Sequence, residues 1–152
     1  MVQKKVKMMK VKKKATKKAI SKKSEKKKRT PRSKRIARLL LNEIERVVDN
    51  VEFRRDLLFK IWSGYRTRKP FISTLKSGYF DLPLTELADF QVETLISLEA
   101  FYRNLDQLTF YIEYTEDMPT TMKKSFDIQF EKLKNLSLET IQKINENELQ
   151  IF

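Results

Sequence analysis

Lysine carries most of the chemistry this chain has to offer, and it is packed densely. Residues 1–38 hold fifteen lysines and four arginines against one acid, Glu25, a formal charge of +18. Cations at this density suit phosphate binding, which needs charge and no particular spacing. The candidate contacts are Lys12, Lys13, Lys14, Lys17, Lys18, Lys22, Lys23, Lys26, Lys27, Lys28 and Arg29, followed by Arg32, Lys34, Arg35 and Arg38 where a helix should begin. A solubilising tail is the bland alternative, but this charge exceeds what solubility asks of a small domain. Among polyanions, nucleic acid leads an anionic membrane surface. Val2, Val6, Met9 and Val11 leave only a weak apolar face, without the aromatics and leucines of an interfacial helix.

A second cluster lies in YRTRKPFISTLKSGYFDL, residues 65–82. Arg66, Arg68 and Lys69 are interleaved there with Tyr65, Phe71 and Tyr79. Cations among aromatics hold phosphates and stack bases. The competing reading packs Phe71 and Tyr79 under the fold and leaves the cations solvated. A role in binding requires Arg66 and Arg68 to be exposed and to share a face with Arg35 or Arg38. Arm and connection would then form one basic end of the molecule.

Other chemistry is poorly supplied. The chain has no histidine and no cysteine. The commonest general base, the thiolate ligands and any disulfide framework are therefore missing. Two glycines, Gly64 and Gly78, do not make a phosphate-cradling loop. Glu86 with Asp89, and Glu113 with Glu116, share helix faces; each pair is either a carboxylate site or a solvated acidic face. The expectation is a non-enzymatic protein with no cofactor and no metal. Trp62 reads as a core anchor rather than a stacking platform.

The lysine–alanine–threonine texture of residues 1–38 resembles the lysine-rich tails of linker histones and of histone-like bacterial nucleoid proteins. The resemblance is compositional and covers about a quarter of the 152 residues. It implies a nucleic-acid partner. Lys22, Lys23 and the cluster at 26–29, with Lys34 and Arg35, also look like a nuclear-import signal. No run of about eighteen uncharged apolar residues exists to span a membrane. The expected place is inside a cell: nucleoid or cytoplasm of a bacterium, nucleus of a eukaryote.

The elements that must position these residues are helical. Residues 1–30 are too charged and too poor in large side chains to fold alone, and are expected to be a disordered arm. All sixteen aromatic residues lie beyond them, in a domain over 31–152. Thr30 and Pro31 suit a helix start. Ile36, Leu39, Leu40, Ile44, Val47, Val48 and Val51 then keep helical spacing, predicting a first helix over about 31–49. Asp49 and Glu52 have capping-box spacing. A second helix carries Phe53, Leu57, Leu58, Ile61 and Trp62 inward and stops near Gly64. One continuous helix bent at Asp49–Asn50 is the alternative.

From Pro83 to Tyr114 the chain reads as the longest element, with Leu95, Leu98, Tyr102, Leu105, Thr109 and Ile112 as its seam. A last helix over about 119–144 buries Met122, Phe126, Phe130, Leu133, Ile141 and Ile144. Leu149, Ile151 and Phe152 are expected to fold back on it. The predicted fold is all-α: an up-and-down bundle of about four helices with a long C-terminal hairpin. The wide apolar face of the third helix suggests a homodimer. The reading of function is sequence-independent phosphate-backbone binding by the arm. The rival is a helical interaction or dimerisation module whose arm only localises it, on an acidic protein or an anionic membrane surface.

Overall fold

The computed structural model describes residues 29–115 and 118–151, and the arm expected over 1–28 lies outside them. All regular elements among the described residues are helical. Thr30 caps α1 (Pro31–Tyr65): its Oγ1 accepts the Ser33 N–H at 3.1 Å, and Pro31 occupies the first turn. Both are the start signals expected of these residue types.

α1 does not stop at Asp49. It runs 35 residues without a break. The expected pair of helices is therefore one element, without the division that the capping-box spacing suggested. The reason is tertiary. Ala37, Leu40, Ile44, Val47, Val51, Leu58 and Trp62 keep one buried stripe in register across residues 49–50. The helix cost of Asp or Asn is below about 1 kcal/mol each, too little to interrupt that stripe. A single register also turns Phe53 and Leu57 outward. Phe53 is 86 % exposed, and Phe59 takes the inward place. Gly64 does not end the helix. Arg66 does, in the left-handed conformation with φ 51°, which few non-glycine residues adopt.

From Arg66 the chain returns along α1 through α2 (Lys69–Thr74), a 3₁₀ turn (Tyr79–Asp81) and a single helical turn, α3 (Leu84–Leu87). The element expected to start at Pro83 is thus interrupted. Leu87 and Phe90 turn into the core, and the Gln91 N–H donates to the buried carboxylate of Glu148 at 2.7 Å. Only then does α4 (Val92–Tyr114) begin.

Contacts at both ends show that α4 runs parallel to α1. Asp89 lies beside Arg29, and Ile112 beside Arg68. α5 (Pro119–Lys143) runs antiparallel to both. Arg55 meets Asp127 at 2.9 Å, Lys134 meets Glu52 at 3.0 Å, and Thr140 Oγ1 donates to the Ser97 carbonyl at 3.1 Å. Among the described residues the long elements are therefore three, with an irregular return in place of a descending helix.

Two aromatic groups stand out within one continuous core. Phe59, Phe71 and Phe126 meet edge to face, with centroids 4.9–5.4 Å apart, near the end of α1. Tyr102 and Tyr79 stack in parallel at 4.0 Å near its middle. Beyond α5 the chain widens into a π-helical turn (Ile144–Leu149), ended by Gln150 at φ 57°. That turn aims Glu148 inward.

Candidate nucleic-acid interface

Lys12 through Lys28 lie outside the described residues, so the interface is built here from its root. The root is not free. The Arg29 side chain is only 4 % exposed, and its Nε sits 2.9 Å from Glu148 Oε2, itself fully buried. Nε also donates to the Asn147 carbonyl at 3.3 Å, and Nη1 donates to the Asp89 carbonyl. Arg29 therefore clamps the start of α1 to the π-turn and to the segment before α4. A guanidinium held this way has no face to offer a phosphate, which corrects its assignment to the arm. Arg29 Nη2 and the Ser33 hydroxyl are buried beside it without hydrogen-bond partners.

The next cations divide. Arg32 is exposed but pairs with Glu86 through both Nε and Nη2. Glu86 is thereby engaged, and the described residues contain no group of three or more His, Cys, Asp or Glu arranged to hold a metal. Arg35 and Arg38 are exposed and Lys34 half-buried, and none of the three has an ion pair among the described residues. One helical turn separates Arg35 from Arg38, so two outward cations continue the charge of residues 1–28 onto the folded body.

The second cluster is elsewhere. Arg35 and Arg66 stand at opposite ends of one straight helix, roughly 46 Å apart at about 1.5 Å per residue. The single basic end required of the connection does not form. Arg66 and Lys69 are exposed at the far end. Arg68 is partly covered: its guanidinium lies 4.7 Å over the Trp62 ring and donates to the Ile112 and Glu113 carbonyls at 2.9 and 3.2 Å. It satisfies the last carbonyls of α4, where a cation also suits the helix dipole. Phe71 and Tyr79 belong to the core, and Tyr65 alone of the aromatics at this end of the connection is exposed.

Glu43 is a structural tie that sequence reading missed. Its Oε1 accepts the Gly78 N–H at 2.6 Å, and its Oε2 accepts the Tyr102 hydroxyl at 3.0 Å. One carboxylate on α1 thereby ties down both the return segment and α4. Burial, with the nearby Glu43 charge, pushes the Tyr102 hydroxyl well above the usual tyrosine range; burial likewise raises Tyr79. A shallow groove of about 420 Å³ runs beside this tie, lined by Ile36, Leu39, Leu40, Asn42, Arg46 and Leu82. Its walls are mostly apolar, and Glu43, its one acid, is already engaged.

Along the α1–α5 seam, Lys123 and Arg55 hold the Asp56 carboxyl below its ordinary value, and Glu52 raises Lys134. These pairs are exposed and screened by solvent, so they contribute little to stability. None of the described helices is long and apolar enough to cross a membrane. No protein-family profile, curated protein or solved structure matches this chain.

Proposed function

We propose that this chain is a non-enzymatic nucleic-acid-associated protein that grips the phosphate backbone through residues 1–38. The observation that carries the reading is nineteen cations against Glu25 in that stretch. The exposed Arg35 and Arg38, which have no ion pair among the described residues, support it by extending the charge onto α1. Residues 78–152 hold six basic and fourteen acidic side chains, a net −8. That half faces away from phosphate, and the arm and the start of α1 face toward it. Recognition is by charge, so DNA and RNA are both substrates in principle, and the protein belongs wherever nucleic acid is dense.

The test is removal of residues 1–28, leaving Arg29 in place to hold Glu148. The truncated protein should keep its melting temperature and lose most of its affinity for duplex DNA and structured RNA. The intact protein's affinity should fall steeply with salt, with a log–log slope near −0.9 per duplex phosphate neutralised. Equal affinity of the two proteins at about 150 mM salt, roughly physiological ionic strength, would overturn the reading.

A further inference from the structure

α4 is enclosed on most of its circumference, yet it leaves one narrow stripe to solvent. Its members recur in steps of four and three: Val92, Ile96, Glu99, Arg103 and, a turn beyond Asp106, Phe110, with Tyr114 a turn further. Apolar groups sit at both ends, and Glu99, Arg103 and Asp106 put charges of both signs in the middle. Val92, Ile96, Phe110 and Tyr114 are each more than half exposed. Phe110 and Tyr114 already lie ring to ring at 4.6 Å, as one aromatic plate. Glu99 and Arg103 already pair one turn apart.

This order is self-complementary under a two-fold axis. We propose that a second copy of this chain docks on the stripe, with the two α4 helices antiparallel and the axis passing between Glu99 and Arg103. Glu99 of each copy then faces Arg103 of the other, and four alternating charges close a central square. Val92 of each copy lies over Phe110 of the other, Ile96 packs inside it with Asp106 of the other copy level with it at the solvent edge, and Tyr114 covers the outer end. A parallel pair would set Glu99 on Glu99 and Arg103 on Arg103, so charge selects the antiparallel arrangement. The stripe has the step pattern of a coiled-coil seam. Its exposed apolar ends are the kind of patch that marks an interface. The proposal does not depend on nucleic-acid binding. Because α1 runs parallel to α4, it does place the two copies of Arg29 and the starts of α1 at opposite ends of the pair.

The test uses the full chain in sedimentation equilibrium at high micromolar concentration and low salt, where exposed charges are least screened, with two charge variants. Glu99→Arg puts four positive charges at the centre and Arg103→Glu four negative ones. Each should weaken the dimer by at least about tenfold. Mixing the two variants should restore association, because each then meets its opposite. Both positions are exposed, so unchanged melting curves will show that the fold is intact. The chain has no cysteine, so Val92→Cys mixed with Phe110→Cys should cross-link, and Val92→Cys alone should not. A monomer at every concentration overturns the proposal. So does a dimer indifferent to both charge variants, which would point to another face.

Discussion

Two residues carry more of this fold than their types would announce. Arg29 and Glu148 lie near opposite ends of the sequence and are buried together. Removing one partner of a buried ion pair leaves a charge without compensation, at a cost of about 3–5 kcal/mol. Glu148→Ala should lower the denaturant midpoint accordingly. Replacing both residues by apolar ones of similar size should recover much of the loss, and a double-mutant cycle measures the difference. Tyr102 makes a pH prediction. Its hydroxyl ionises less readily in the folded protein than in the unfolded one. Its stabilising effect is therefore complete below the unfolded value of about 10, and is lost as pH rises above that. Thermal melts between about pH 8 and pH 11 should show a steeper alkaline decline for the wild type than for Tyr102→Phe. Parallel declines would mean that the hydroxyl does not couple to folding.

At the scale of elements, legibility followed locality. The cap at Thr30, the first-turn proline and the buried seam through Leu98, Tyr102 and Leu105 were readable, because each signal lies within a turn or two of itself. The continuity of α1 was readable only as the alternative to two helices. Asp49 followed by Glu52 is a genuine start signal, and only packing along a whole face outweighs it. The same one-register helix explains why Phe53, read as inward, is outside. The π-turn and its inward Glu148 were illegible because no local pattern marks one extra residue per turn. Asn50 separates the two readings of α1. In a chain with a helix boundary there, Asn50→Pro would be mild. In a continuous helix it removes a hydrogen bond and clashes with the preceding turn, at about 3 kcal/mol or more. We expect a large fall in melting temperature, and a shift of only a degree or two would argue for a break.

For the whole molecule, the continuity of α1 decides which cations act together. The lysine-rich stretch was legible as a candidate site because composition alone defines it. The placement of the second cluster was not, since it depends on the length of one helix. Arg35 and Arg38 extend the arm, whereas Arg66 and Lys69 stand at the other end. Arg35→Ala with Arg38→Ala should weaken nucleic-acid binding and reduce the salt slope by about two phosphate contacts. Arg66→Ala with Lys69→Ala should leave both nearly unchanged. Equal losses from the two pairs, read by fluorescence anisotropy across a salt series, would mean that the bound nucleic acid spans the full length of the bundle.

The Arg29 clamp also has a mechanical meaning. Tension on residues 1–28 reaches the folded body along the backbone at Arg29, where this side chain anchors the chain to other segments. Without it, a pull along the chain would unwind α1 from its first turn, one hydrogen bond at a time. With it, the load is shared at once by α1, by the Asp89 carbonyl and by the π-turn at Asn147 and Glu148. Three segments remote in sequence must then fail together. The body is thus built to resist being peeled by its own tether.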